Sequence, residues 1–349
     1  MSAHIELGGR RISADDPCYV IAEVGVNHNG DAELAHKMID AAKEAGADAV
    51  KFQTYKTDAL ITANTKKADY QTGTTGEGSQ DAMLRQLELP QEVFAELANH
   101  CREVGVDFMS TAFDSESLEA VSKLDPVCLK WPSGELTNTL LLRQAAQYDL
   151  PILLSTGMGT LTEISTALDL LAAHGTDDVV ILQCVSNYPA AIEEQNLRVL
   201  PHMAAVFGKP TGFSDHTEGP YAALAARALG MSVLEKHFTM DRTMEGPDHR
   251  ASIEPAEFGQ MVTVLRQVEK GLGDGVKRRL NSEQNILTVA RKSLVYLSDL
   301  PAGHVLSLQD LTAKRPGTGL PPDEVDSFIG RTLETAVTRD EQVQRGHVR

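Results

Sequence analysis

One phrase recurs along the chain: a helical pattern runs into a glycine, and a short apolar strand follows. It occurs at Gly46 before DAVKFQTY, at Gly105 before VDFMSTAF, at Gly175 before TDDVVILQC and at Gly230 before MSVLEKHF. Glycine accepts the left-handed backbone that ends a helix, so each phrase predicts a helix, a tight loop and a strand. Asp31 is placed to cap the helix that Gly46 ends. Filling the gaps gives eight strand candidates: CYVIAEVGV, AVKFQTY, DFMSTAF, VCLKWPS, ILLSTG, VVILQC, TGFSDH and VLEKHF. They are continuous apolar runs, as expected of a parallel sheet buried on both faces. Eight strand–helix units in about 270 residues predict a TIM (β/α)8 barrel. The alternative, an open doubly wound sheet, calls for a Gly-rich loop after its first strand, and VGVNHNG does not match GxGxxG.

The ends of the chain read differently. HIELGGRRIS predicts a short N-terminal β-hairpin turning at Gly8-Gly9, suited to closing the barrel floor. After Gly271 the polar stretch GDGVKRRLNSEQN is linker-like, and from Ser293 short strands and turns replace the strand–helix units. The expected division is a catalytic barrel over 1–275, a linker over 276–292 and a small β-rich domain over 293–349. So short a domain has little core of its own and should dock on something.

Composition narrows the partners. Of the 349 residues, 42% are hydrophobic, enough for a sizeable core. The net charge of −17 argues against nucleic acid or an anionic membrane as the main partner. No apolar run reaches about 18 residues, and the opening MSAHIELGGRRISADDP has no signal-peptide core. Cys18, Cys101, Cys128 and Cys184 show no CxxC spacing and read as reduced, mostly buried thiols of a cytoplasmic protein.

In a TIM barrel the chemistry sits at the C-terminal strand ends. Those ends carry Glu23; Lys51 and Gln53; Ser110 and Thr111; Lys130 and Ser133; Ser155 and Thr156; Gln183 and Ser186; Ser214, Asp215 and His216; Glu235 and His237. His216 and His237 come from neighbouring strands and suit a divalent metal, with hydrogen-bonded core histidines as the alternative. Lys51 and Lys130 lie inside apolar runs, where burial calls for an anionic partner. With Ser133, Ser155 and Ser214 they make a phosphate site, against the alternatives of snorkelling or a Schiff-base lysine. The Ser155–Gly159 loop offers backbone N–H groups to the same anion. Glu23 and Glu135 are the acid/base candidates; Glu135 equally suits capping a helix near Thr137. Asp248 follows a flexible Gly-Pro and is placed either to reach a sugar hydroxyl or simply to form a surface turn.

In order along the chain stand IAEVGVNHNGD, VKFQTYK, KWPSGELTN, LSTGM, LQCVSNYP, FSDHT, EKHFT, GPDHRAS and KRPGTG. The series resembles the sialic acid (nonulosonate) synthases, which join a TIM barrel to an antifreeze-like (SAF) domain. It spans about Val20 to Gly330. The resemblance implies condensation of phosphoenolpyruvate with an N-acetylated mannosamine-type sugar, giving a nine-carbon keto acid and phosphate. It implies a divalent metal, Mn2+ with Mg2+ or Co2+ as alternatives, on His216 and His237. Lys51, Lys130, Ser133, Ser155 and Ser214 would hold phosphoenolpyruvate, with Ser186 near its phosphate. Gln53, Tyr188 and Asp248 would face the sugar together with Glu23, and Glu135 would serve water or proton transfer. Arg315 of KRPGTG would enter a partner's active site in a domain-swapped homodimer.

Some members carry His at Gln183, Asn at Ser186 and a smaller aliphatic residue at Trp131. VKFQTYK, TAFD and the segment from Lys66 to Leu89 resemble the legionaminic-acid branch more than the N-acetylneuraminate branch, which leans the acceptor towards a 2,4-diacetamido-trideoxymannose. The competing readings are another metal-dependent keto-acid synthase or aldolase on the same barrel and, ranked lower, a non-catalytic carbohydrate- or ice-binding protein.

Overall fold

The computed structural model describes residues 3–62 and 65–349. The chain divides into two compact units, Met1–Gly273 and Asp274–Arg349. The first opens with the hairpin β1 (His4–Leu7) and β2 (Arg10–Ser13), followed by β3 (Tyr19–Gly25), α1 (Ala32–Glu44) and β4 (Ala49–Thr54). A helical excursion then inserts α2 (Thr57–Leu60), α3 (Asp69–Thr75) and α4 (Gln80–Leu87) before α5 (Gln91–Val104). Strand–helix alternation resumes with β5 (Asp107–Ala112), α6 (Ser115–Ser122), β6 (Leu129–Trp131), α7 (Thr139–Ala145), β7 (Ile152–Ser155) and α8 (Leu161–Ala173). It continues with β8 (Val179–Cys184), α9 (Val199–Phe207), β9 (Thr211–Asp215), α10 (Tyr221–Ala228), β10 (Val233–His237) and α11 (Pro255–Leu272).

Strands β3 to β10 form a closed parallel barrel, sealed where β10 pairs with β3 from Val233↔Tyr19 to His237↔Glu23. All eight expected strands are present. The local signals act as anticipated: Asp31 accepts the Glu33 and Leu34 N–H groups at the start of α1, and Gly46, Gly105, Gly175 and Gly230 all have positive φ. No helix among the described residues is long and apolar enough to cross a membrane, and all four cysteines are free and buried.

Strand alternation divides the core in two. One parity faces the surrounding helices, as with Val50 and Phe52 of β4, Leu129 and Trp131 of β6, and Leu234 of β10. The other parity faces the barrel interior. Its lower layer is apolar, with Tyr19, Ile21, Ala49, Met109, Leu153, Val180 and Leu182, and Ile5, Leu7 and Ile12 of the hairpin pack into it. The hairpin is therefore the floor of the barrel. Trp131 belongs to the outer parity: it packs among the helices, its indole N–H donating to the Glu135 carbonyl at 2.8 Å.

The second unit has β11 (Ser293–Tyr296) antiparallel to β12 (Leu311–Lys314), around a core that includes Leu294, Tyr296, Leu306, Phe328, Leu333 and Val343. The stretch read as a linker groups with this unit and is helical in part, as α12 (Gln284–Ala290). The polar run forms a 3-10 turn, Asn281–Glu283, that leads into α12, and the Glu283 carboxylate accepts the Leu280 N–H at its start at 2.8 Å.

Gly212 lies on the interior parity of β9. A methyl group there would stand 2.7 Å from the Val233 carbonyl oxygen and collide with the Leu182 side chain. We expect Gly212→Ala to destabilise the protein by about 1–3 kcal/mol, read as a lowered urea midpoint. Gly271→Ala, with open space around it, is the comparison. An equally small effect for the two would contradict this packing.

Candidate active site

Above the apolar layer the interior parity turns polar, and the strand ends surround a cavity of about 280 Å³. Glu23 of β3, Lys51 and Gln53 of β4, Lys130 of β6, Ser155 of β7, Ser214 of β9 and Glu235 and His237 of β10 all line it. Ser133, Ser186, Tyr188, His216 and Asp248 reach it from the loops just beyond the strands.

Four charges meet at its centre. Lys51 Nζ lies 2.6 Å from Glu23 and 3.7 Å from Glu235, and Lys130 Nζ lies 3.4 Å from Glu235. All four side chains are buried. Gln53 donates to Glu23 at 2.9 Å, Lys51 to Thr111 at 2.9 Å, and Ser214 to Glu235 at 2.7 Å. Burial alone would favour a neutral Glu235, but Lys130 and Lys51 outweigh it and hold the carboxyl at about 2. Glu23 moves the other way: burial, reinforced by the Glu235 charge, raises it above the usual carboxylate range in spite of Lys51. Glu23 is thus the carboxylate of the pair that more readily takes a proton. Lys130 is lowered by burial.

Beside the lysines, Ser133 Oγ accepts the Gly157 N–H at 2.9 Å. A side chain on Gly157 would run into the Ser186 and Ser133 hydroxyls, so glycine lets this loop close on the two serines. Ser155 Oγ is buried without a hydrogen-bond partner, as expected of a group that serves a ligand.

His216 donates from Nδ1 to the Val185 carbonyl at 2.7 Å when that nitrogen carries the proton, which leaves Nε2 as a lone pair on the Ser214 side. His237 Nδ1 is buried without a partner, and burial, then His216 and Lys51, push this imidazole well below its usual pKa. Two imidazoles with ring centres 5.3 Å apart are, once deprotonated, a donor set for a divalent cation. Among the described residues no three His, Cys, Asp or Glu side chains converge as a metal group. An ion here would therefore take its remaining ligands from substrate and water. Tyr188 lies against both rings, 4.2 Å from His216 and 5.4 Å from His237.

One anticipated residue is placed differently. Glu135 does not line the cavity; its carboxylate accepts from Asn138 at 2.6 Å, and Asn138 caps α7 by accepting the Leu141 N–H. Arg315 belongs to the second unit, where its exposed side chain donates from Nε to the Ala290 carbonyl at 3.0 Å. Glu235, Thr111 and Cys184 line the cavity without having been assigned a role from sequence. The signal for Glu235 was its shared parity with His237. Tyr70, Gln71, Met83, Leu84 and Leu87 enter from the helical excursion, where no strand periodicity marks them.

Asp248 is buried at the cavity rim, and burial, then the Glu23 charge, raises it from 3.8 to about 6. The folded protein therefore binds a proton here between roughly pH 4 and 6 that the unfolded chain has lost. Stability from this group falls as pH rises through that window, by at most about 3 kcal/mol. We expect Asp248→Asn to raise the melting temperature of chelator-treated protein at pH 7 and to change it little at pH 4. A variant less stable than wild type at pH 7 would contradict the assignment.

Comparison with known proteins agrees with this geometry. The model of the NeuB family matches residues 38–277, and that of the SAF domain matches 291–349. An N,N'-diacetyllegionaminic acid synthase of Campylobacter jejuni is 42% identical over 328 residues, covering 93% of this chain and 98% of that protein. One of Legionella pneumophila is 43% identical over 324 residues, covering 90% of each. The crystal structure of an N-acetylneuraminic acid synthetase from Leptospira borgpetersenii superposes with a TM-score of 0.73 at 33% identity, covering 82% of this chain and 96% of that one. With the family matched over most of the barrel and relatives matched along most of the chain, this protein belongs to the NeuB family and is a transferase-type enzyme carrying a SAF domain.

Proposed function

We propose that the enzyme condenses phosphoenolpyruvate with an N-acetylated mannosamine-type aldehyde to a nine-carbon nonulosonic acid and inorganic phosphate. The observation that carries this reading is the joining, in one cavity, of two buried lysines, a ring of serines and a pair of imidazoles. Lys51, Lys130, Glu23 and Glu235 cancel in formal charge. A phosphorylated carboxylate entering among them needs further positive charge, and a divalent ion on His216 and His237, Mn2+ or else Mg2+ or Co2+, meets that need. When bound, such an ion acts as a Lewis acid on the acceptor aldehyde.

The chain's own groups do the rest. Lys130, Lys51, Ser133, Ser155, Ser186 and Ser214 hold the phosphate and carboxylate oxygens. Gln53 orients Glu23, whose carboxyl exchanges a proton with the acceptor oxygen. Tyr188 and Asp248 face the sugar. A C–C bond forms between the enol carbon and the aldehyde carbon, and water adds to the phosphate-bearing carbon. The bond from that carbon to the phosphate oxygen then breaks, and the lysines and serines stabilise the departing phosphate. Greater identity to the two legionaminic acid synthases than to the neuraminic acid synthetase supports a 2,4-diacetamido-trideoxymannose as the acceptor. The same reading includes a cytoplasmic, domain-swapped homodimer in which Arg315 serves a partner's cavity.

The direct test is phosphate release from phosphoenolpyruvate with Mn2+ and a panel of acceptors. No release with any of them would end the reading. We expect Lys130→Ala to weaken phosphoenolpyruvate binding roughly ten- to a hundredfold, from loss of a charge-assisted contact of about 1.5–3 kcal/mol, while sugar KM changes little. His216→Ala and His237→Ala should each lose Mn2+ binding in calorimetry with the fold intact by circular dichroism. Mixing Arg315→Ala and His216→Ala subunits should recover part of the activity, and no recovery in exchanged heterodimers would count against the swap.

A further inference from the structure

The loops that follow β3 and β10, the two strands paired at the barrel seam, are bonded to each other through side chains. They carry VNHNG at residues 26–30 and GPDHRAS at residues 246–252. Asn29 Nδ2 donates to the Glu245 carbonyl at 3.0 Å, and its Oδ1 lies 3.1 Å from His249 Nε2. His249 Nδ1 lies 2.6 Å from the Thr239 hydroxyl. A second tie runs from Asn27 Nδ2 to Ser252 Oγ at 2.8 Å, and from that hydroxyl to the Asp248 carbonyl at 2.7 Å. Asn27 also donates to the Phe238 carbonyl at 3.0 Å. Asn27, Thr239, His249 and Ser252 are buried, and Asn29 is half-buried.

The first tie has one direction. A backbone carbonyl only accepts, so Glu245 fixes which end of the Asn29 amide carries the hydrogens and turns Oδ1 towards His249. An amide oxygen also only accepts, so His249 carries its proton on Nε2. Burial pushes this imidazole down to about 4, so the ring is neutral near pH 7 and Nδ1 accepts the Thr239 hydroxyl proton. Gly246 lets the loop lie close on the pair: a methyl group there would stand 2.6 Å from the His249 ring and 3.1 Å from Asn29 Oδ1.

Between these anchor points stands Asp248. It lines the cavity and is buried, and among the described residues no hydrogen bond reaches its carboxylate. The place of that carboxylate therefore follows from the backbone of residues 245–252, which the two ties hold. We propose that Asn29 and His249 are positioning residues, a latch from the β3 loop that sets where the Asp248 carboxylate meets the acceptor sugar. Neither lines the cavity, so they act through Asp248. The inference rests on the synthase reading and adds to it two residues that touch no substrate.

The test follows phosphate release with Mn2+, phosphoenolpyruvate and either N-acetylmannosamine or 2,4-diacetamido-2,4,6-trideoxymannose, whichever the wild type turns over faster. Asn29→Asp keeps the side-chain shape and tolerates the positive φ of 53° at this position, but sets an oxygen against the Glu245 carbonyl. Misplacing an orienting group by about 1 Å can cost about a hundredfold, so acceptor kcat/KM should fall about ten- to a hundredfold. The phosphoenolpyruvate KM, and Mn2+ affinity by calorimetry, should stay within about twofold of wild type. His249→Gln, whose amide can donate from the place of Nε2, should lose less than His249→Phe. In an Asp248→Asn background the effect of Asn29→Asp should shrink to within about twofold, because the group it places is gone. Where Asp248→Asn is too slow to read, the split between acceptor kcat/KM and phosphoenolpyruvate KM decides. If Asn29→Asp does not fold by thermal melting, the His249 pair decides. Folded variants with wild-type acceptor kcat/KM, a phosphoenolpyruvate KM shifted as far as that ratio, or a loss undiminished beside Asp248→Asn would each overturn the latch alone. No phosphate release by the wild type with either acceptor overturns the synthase reading and the latch with it.

Discussion

Two carboxylates and two ammonium groups, all buried, share the centre of the barrel mouth. Taking such charges out of water costs several kcal/mol each, and only close pairing offsets it. The quartet draws Glu23, Lys51, Lys130 and Glu235 from four strands, and Glu23 and Glu235 lie on the two strands whose pairing closes the ring. The charges therefore require the closed barrel, and the closed barrel is what excludes water from them. The cluster also sets the protonation pattern: the lysines keep Glu235 ionised, and burial, reinforced by the Glu235 charge, makes Glu23 the easier group to protonate.

A second ion pair lies one strand position away, on the opposite parity. Lys236 donates to Asp215 at 2.9 Å and to the Thr217 carbonyl at 2.8 Å, and Asp215 accepts from the Thr217 N–H. Each member immediately precedes one of the two imidazole-bearing residues. The alternation that aims His216 and His237 into the cavity thus aims their neighbours away from it, where they tie β9 and β10 together. Rigidity of this kind keeps the two imidazoles at a fixed separation.

The two ends of the barrel use the same interior parity differently. At the bottom it is apolar and is filled by the hairpin, so the strands below the site form a packed floor. At the top it is polar and leaves a cavity. The excursion between β4 and α5 then adds an apolar side to a polar mouth. A TIM barrel tolerates such insertions because loop variation at this face leaves the strand register untouched.

Much of this was legible in the residues. The helix–glycine–strand phrase is a local signal that marked four strands, and apolar runs in the gaps gave the other four, because backbone preference and apolar runs act over only a few residues. Polar strand ends gave most of the cavity, since alternation and direction follow from the same signal. Trp131, Glu135 and Glu235 mark where that reasoning stopped. Trp131 and Glu235 are decided by strand parity across the closed sheet, and Glu135 by a competing bond to Asn138 in its own turn. The sequence by itself determined the barrel, its floor and the residue types at its mouth. Only the tertiary structure decided that Lys51 and Lys130 share Glu235, and that α4, distant in sequence from β10, walls the same cavity. Those facts depend on distances between segments that meet only when the ring closes, and no local preference encodes them.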